Sequence, residues 1–175
     1  MESIVRHMTS LVRSFSAIAA ALVLGGCLSL QATCPFSLTP HSIQTASGSE
    51  HWCETHRGLR EGPFERRDTD SRIAERGEYV RNQRSGVWTT YDAEGQRTSQ
   101  RPYINGAVSG EVLRWHASGV LASQTEFFDG IPQGLAKRWY ENGSVEVEGR
   151  YCEGRECGEW QWYDERGERR VAPTD

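Results

Sequence analysis

The stretch Gly86-Val87-Trp88-Thr89-Thr90-Tyr91-Asp92-Ala93-Glu94-Gly95 runs on through Gln96 to Pro102 and ends in Tyr103-Ile104-Asn105-Gly106. The same arrangement restarts at Gly110. Gly62, Gly86, Gly110, Gly134 and Gly158 stand at a constant step of 24 residues. Two positions after them come Phe64, Trp88, Val112, Ala136 and Trp160, and five after come Tyr91, Trp115, Trp139 and Tyr163. Gly95, Gly119, Gly143 and Gly167 keep the step, as do Tyr79, Tyr103, Phe127 and Tyr151. A fixed period of this size means one supersecondary unit stacked on itself.

Each unit holds two short segments fit for strands, separated by glycine-bearing turns. Asn105-Gly106 and Asp129-Gly130 suit two-residue hairpin turns, where both central residues take positive φ. Glu153-Gly154 occupies the same place, and Asn82 is the best non-glycine residue for it. The second turn carries Glu94-Gly95, Ser118-Gly119, Asn142-Gly143 and Arg166-Gly167, a polar residue before a left-handed glycine. The expected fold is all-β: an elongated antiparallel meander of stacked 24-residue hairpins. The glycines are backbone requirements, since no helix signal follows them as a phosphate cradle needs.

A single hairpin is marginal in water, so the aromatics must supply the burial. Trp88, Tyr91, Trp115, Trp139, Trp160 and Tyr163 with Tyr79, Tyr103, Phe127 and Tyr151 can stack as a ladder. Trp88 and Tyr91 lie an odd number of residues apart, which in a flat strand sends them to opposite faces. Either a bulge corrects the parity or both faces carry aromatics.

The order Tyr-x-x-Gly-x-x-x-Gly-x-Trp-x-x-Tyr-x-x-x-Gly is similar to the bacterial variant of the MORN repeat. Tyr103, Gly106, Gly110, Trp115 and Gly119 carry it, then Phe127, Gly130, Gly134, Trp139 and Gly143. The resemblance covers roughly residues 53 to 170. It implies an elongated, non-catalytic stack of hairpins, and many bacterial members are grouped as YwqK-type antitoxins. The first copy departs at Arg67, Ser71 and Asn82, as a terminal cap does. The last ends at Val171-Ala172-Pro173, where proline blocks further pairing.

Residues 1–26 read as an export signal. Arg6 and Arg13 precede the apolar run Ser16 to Leu24, which is too short to span a bilayer. Leu24-Gly25-Gly26-Cys27 resembles the bacterial lipobox. That implies cleavage before Cys27 and lipid on its thiol, hence membrane attachment in the cell envelope. Leu28 after the cysteine favours an outer-membrane lipoprotein, facing the periplasm or the cell surface. Residues 27–50, rich in Ser, Thr, Pro and Gln, read as a tether, 51–170 as the repeat domain and 171–175 as a tail.

Cys34, Cys53, Cys152 and Cys157 remain, an even count that reads as disulfides in an exported chain. Cys152 and Cys157 flank the Glu153-Gly154 turn in slots that other copies fill with Ile104 and Ser109, or Phe128 and Gln133. They are therefore expected to pair, which leaves Cys34 with Cys53. Loop closure gives about 2 kcal/mol to the first bridge and roughly 3 to the second. A zinc site is disfavoured, because Cys152 and Cys157 have no partner pair at zinc spacing, and His51, Cys53 and His56 are the one other cluster.

No catalytic constellation is found and no cofactor is implied. His116 lies in a slot that Tyr140 fills one copy later, and reads as a turn-proximal surface residue. Asp92, Glu94, Glu141, Asp164 and Glu165 recur at one turn, where solvated acids are common. Net charge is −4, with Lys137 the one lysine. Charge and compartment both argue against nucleic acid. The function expected is that of an envelope interaction or scaffold module with a protein partner. The alternative is an antitoxin or immunity-type protein that neutralises an envelope-located partner.

Overall fold

A left-handed pair of residues at four of the hairpin tips sets the architecture. Arg81 and Asn82, Asn105 and Gly106, Asp129 and Gly130, Glu153 and Gly154 all take positive φ, the signature of the two-residue turn whose twist matches its strands. The computed structural model describes residues 33–172. The strands are β1 (Thr39–Thr45), β2 (Gly48–Glu54), β3 (Arg60–Arg67), β4 (Ile73–Val80), β5 (Gln83–Tyr91), β6 (Arg97–Ile104), β7 (Ala107–Val108), β8 (Gly110–Trp115), β9 (Leu121–Phe128), β10 (Ile131–Trp139), β11 (Val145–Cys152), β12 (Arg155–Tyr163) and β13 (Arg169–Arg170). They form one antiparallel sheet in sequence order, with the short β7 paired to β6. The all-β meander expected from the period is the fold.

Successive copies are fastened at the tips. The N–H groups of Asn82, Gly106, Gly130 and Gly154 donate to the carbonyls of Arg60, Arg84, Val108 and Pro132 at 2.8–3.0 Å. Each bond reaches back 22 residues, into the preceding copy. Side chains add to this at the residue before: Arg81 N–H donates to Glu61 Oε2 (2.8 Å), Asp129 N–H to Ser109 Oγ (3.0 Å) and Glu153 N–H to Gln133 Oε1 (2.9 Å).

The period glycines sit in bulges. Ser85 pairs with Glu78 and Thr89 with Arg76, so β5 advances four residues while β4 advances two. The same step occurs at Pro132–Ala136 against Phe127–Thr125 and at Cys157–Gln161 against Arg150–Glu148. Two surplus residues preserve the alternation of faces. Gly134 takes φ 104° inside its bulge, a conformation an L side chain rarely adopts.

A second bulge answers the question of parity. Thr90 pairs with Ser99 and Tyr91 with Arg97, so the surplus residue, Thr98, lies on the partner strand. Ala122 and Glu146 are its equivalents. The tryptophan-bearing strand therefore keeps its alternation, and Tyr91 faces away from Trp88. Both faces carry aromatics, and the expected single ladder divides into two.

On the first, the ring face, Phe64, Tyr79, Trp88 and Tyr103 pack with centroids 5.0–6.2 Å apart. Tyr151 packs edge-on against Trp160 at 5.2 Å. One row on this face crosses the sheet: Phe64 pairs with Gly77, Trp88 with Arg101, Val112 with Thr125, and Ala136 with both Thr125 and Gly149. Phe64, Trp88, Val112 and Ala136 are buried there. Large rings lean over the two glycines. A Cβ added to Gly77 would lie 2.3 Å from Trp88 Cδ2, and one added to Gly149 would lie 2.3 Å from Trp160 Cδ2. Volume is shared along the row, tryptophan beside glycine and valine or alanine beside threonine.

The expected tether needs correction. Residues 39–50 are not a linker: β1 pairs with β2 from Thr39–Glu54 to Thr45–Gly48. The meander starts twelve residues before His51, where the repeat domain was expected to begin. Thr39–Thr45 is exposed along its whole length, so this edge strand has no buried face to stamp an alternation on its sequence. Cys34 is bonded to Cys53, Cα atoms 5.7 Å apart, and draws the segment before β1 onto the sheet. The expected export signal at residues 1–26, the expected lipidation site Cys27 and the tail beyond Ala172 lie outside the described residues.

Candidate interaction surface

The residues after the ring-face aromatics point the other way. Val80, Ile104, Phe128 and Cys152 follow Tyr79, Tyr103, Phe127 and Tyr151 by one position, at the end of β4, β6, β9 and β11. Alternation places all four on the opposite face, again at a step of 24. Ile131 joins them as the cross-strand partner of Phe128. Val87 and Leu135, one residue after the period glycines, share this face. These side chains are uncovered: Phe128 is 72% exposed, Ile104 60% and Leu135 57%. A sheet of one layer can bury one of its faces by its own side chains, and here the ring face takes that role. The opposite face keeps a column of aliphatic and aromatic groups in water, which on a protein surface marks a place of contact.

Two grooves open along this face. One, of about 1070 Å³, runs between Ile104, Glu111, Phe128 and Gln133. The other, of about 680 Å³, runs over β10 to β12 between Leu135, Lys137, Trp139 and Glu148 and reaches both cysteines of the last hairpin. Glu126 separates them and accepts a hydrogen bond from the Leu135 N–H at 3.1 Å. Polar groups are fixed around the second groove. Lys137 Nζ stands 2.6 Å from Glu148 Oε2, and the Tyr163 hydroxyl donates to Gln161 Oε1 at 2.7 Å, 3.1 Å from Glu148 Oε1. The Lys137 ammonium holds the Glu148 carboxyl below its ordinary range, against the opposing pull of burial and with help from Tyr163. Burial and the adjoining Glu148 carboxylate push the Tyr163 phenol up.

The ring face carries cations on its rings. Arg84 lies 3.9 Å above Trp88, and its Nη1 is 3.2 Å from Glu75. Burial works against its charge, but the Tyr103 hydroxyl and Glu75 outweigh it and raise its pKa. This cluster is closed on itself and binds the copies together.

The sequence-predicted residues separate accordingly. Gly62, Gly86, Gly110, Gly134 and Gly158 all take positive φ. Trp88, Trp160, Tyr103, Phe127 and Tyr151 stand on the ring face. Trp115 and Trp139 stand on the other, with Arg97 stacked 4.7 Å over Trp115 and Lys137 6.0 Å from Trp139. Cys152 and Cys157 are bonded to each other, Cα atoms 5.8 Å apart. His116 is not a free surface residue: its Nε2 donates to Trp139 O at 2.8 Å, one copy on. Tyr140, in the same slot, donates to Tyr163 O at 2.9 Å. Both are pegs between adjacent turns. Asp92 and Asp164 occupy the slot in the flanking copies and cap their own loops, Oδ1 accepting N–H groups two and four residues on. Among the described residues no group of three or more His, Cys, Asp and Glu side chains is placed to hold a metal ion.

Sequence reasoning missed the exposed column. Its signal is in the chain: Val80, Ile104 and Phe128 recur at the period, one place after Tyr79, Tyr103 and Phe127.

A sheet built of equivalent hairpins, with an apolar column along one open face, defines a β-hairpin repeat protein. The model of the MORN repeat variant matches the chain twice, at residues 84–105 and 132–153. The matches lie two periods apart and cover equivalent parts of two copies. No curated protein matches the chain.

Proposed function

We propose that this chain is a non-catalytic interaction module of the cell envelope, held to the membrane by lipid on Cys27. The face opposite the ring ladder would receive a protein partner. The observation that carries the reading is the exposed column Val80, Ile104 and Phe128, repeated in register with the hairpins. Single exposed apolar groups are ordinary on a protein surface, but a row at the repeat step is not. The regular spacing suits an extended partner that meets the same chemistry copy after copy. Among the described residues the polar groups of the second groove stand on an open sheet face and not in an enclosed site, which is the reason for preferring contact to catalysis.

The test uses the full chain displayed in its own membrane. Crosslinking should capture a discrete partner, and the combined substitution Val80→Ser, Ile104→Ser, Phe128→Ser should abolish capture. Circular dichroism should stay unchanged, because exposed positions contribute little to stability. Capture that survives the triple substitution would refute this use of the face. Metabolic labelling with palmitate, lost on Cys27→Ser, checks the anchor. The antitoxin reading uses the same surface with a toxic enzyme as partner. It predicts that co-expression rescues growth from a toxin made in the envelope, and that the triple substitution removes the rescue.

A further inference from the structure

Four hairpins of the chain end in the same pair of slots. Val80 and Ser85, Ile104 and Ser109, and Phe128 and Gln133 fill them in three, while Cys152 and Cys157 fill them in the fourth. The three sisters close with no covalent bond. The fourth has their fastenings as well, since Gly154 N–H donates to Pro132 O and Glu153 N–H to Gln133 Oε1, both at 2.9 Å. Its disulfide spans only five residues and so restricts the unfolded chain little. The bridge is an addition to a tip that is already made.

The surroundings of this bridge differ from those of the other. Cys53 of the Cys34–Cys53 pair is 1% exposed. Cys152 is exposed, Cys157 half-buried, and both line the 680 Å³ groove. Arg150 is the cross-strand partner of Cys157, and Arg155 that of Cys152. Both arginines are exposed, and neither forms an ion pair among the described residues. Each cysteine thus has an arginine as its cross-strand neighbour, within reach of its sulfur. A nearby cation stabilises a thiolate, and a sulfur that leaves as a stabilised thiolate leaves faster. The same two guanidinium groups suit carboxylates on an incoming molecule.

We propose that Cys152–Cys157 is a thiol–disulfide exchange site for a small thiol that carries carboxylates. The incoming thiolate enters from the groove and attacks Cys152 Sγ, the exposed sulfur. A bond forms between the two sulfurs, the Cys152–Cys157 bond breaks, and its electron pair leaves on Cys157 Sγ, whose cross-strand neighbour is Arg150. A second thiolate attacks the small molecule's sulfur in the mixed disulfide and releases Cys152 as a thiolate. Two small thiols are oxidised to one disulfide, the cysteine pair is reduced to two thiols, and the protons of the incoming thiols end on the cysteines. The hairpin tip stays closed through its backbone bonds, while the groove exchanges a disulfide wall for two thiols.

The test follows both bridges in one molecule. The full chain is equilibrated with graded mixtures of reduced and oxidised glutathione, free thiols are alkylated, and each cysteine is read by peptide mass spectrometry. Cys152–Cys157 should open at a ratio at least about tenfold more oxidising than Cys34–Cys53 requires. Glutathione trapped as a mixed disulfide should sit on Cys152. The combined substitution Arg150→Gln, Arg155→Gln should slow opening by glutathione about tenfold and opening by 2-mercaptoethanol, a neutral thiol, much less. Circular dichroism of the reduced chain should remain that of the oxidised one. The proposal falls if both bridges open together or Cys34–Cys53 opens first. It falls equally if the arginine substitutions leave the glutathione rate unchanged or slow both thiols alike.

Discussion

Replacing Gly77 with alanine tests whether volume is shared along the row that crosses the ring face. The backbone there is not left-handed, so the substitution strains no dihedral. What it adds is a methyl group 2.3 Å from Cδ2 and 2.4 Å from Cε2 of Trp88, where carbon atoms in contact sit about 3.5–4.0 Å apart. The indole must retreat by more than an ångström. It is 2% exposed, with Phe64 stacked on it at 5.1 Å, Tyr79 edge-on at 5.0 Å and Arg84 3.9 Å above. Retreat also stretches the bond from Trp88 Nε1 to Glu78 O, now 3.1 Å. Overpacking costs about 1–3 kcal/mol and the strained hydrogen bond about 1 more, so a loss of about 3 kcal/mol is expected. Gly149→Ala meets Trp160 at the same distance, but that ring is half-buried and its Nε1 has no partner to lose. The ring can tilt outward, and about 1–2 kcal/mol is expected. Trp88→Val, which copies the residue at Val112, should cost about 3 kcal/mol by itself. Combined with Gly77→Ala it should cost little more, a coupling of about 2–3 kcal/mol. Urea unfolding of the four chains, followed by circular dichroism, measures each term. Additive losses in the double variant, or equal losses at Gly77 and Gly149, would refute the reasoning.

Other outcomes follow from the same geometry. Arg81 holds φ 50° in the first hairpin turn, where asparagine is easier to accommodate, so Arg81→Asn should stabilise the chain by about 0.5–1 kcal/mol in the same assay; a loss would contradict the turn assignment. Tyr140→Phe removes the donor to Tyr163 O and should cost about 1 kcal/mol, with faster amide exchange at residues 140–144 and 164–168. The lowered pKa of Glu148 means that its pairing with Lys137 stabilises the fold above the ordinary carboxylate range. That support is lost as pH falls through the lowered value. Both partners are about one-third exposed, so Lys137→Met should cost only about 0.5 kcal/mol at pH 7. The difference should shrink as pH falls below the ordinary carboxylate range, and a gap that stays constant through acid titration would exclude this origin.

The hairpin tips were legible because their chemistry is local. Asn105-Gly106 and Asp129-Gly130 dictate left-handed pairs whatever surrounds them, and the 24-residue step then orders the meander. Start and parity were not legible in the same way. Thr39–Thr45 has no buried face, so Pro40, His41 and Ile43 follow no periodicity, and the strand is recognised only through its pairing with β2. The division of aromatics between faces turns on where one surplus residue falls. Thr98, Ala122 and Glu146 are unlike one another, and no residue type announces that bulge. The compensation between Trp88 and Gly77 could have been read, since Gly77 and Gly149 stand three periods apart and each precedes a tryptophan by eleven residues. The exposed face was written in the period too, but an apolar residue beside an aromatic one reads first as more core.

The backward reach of the tip bonds has a consequence for how such a chain can change. Every fastening joins a copy to the one before it, and none skips a copy. Excising residues 86–109, or duplicating them, would leave each remaining tip facing an equivalent carbonyl. The length of the ribbon is therefore free to vary by slippage of a 72-nucleotide unit in the gene, and a lineage could fit its span to a longer or shorter ligand without inventing a new joint.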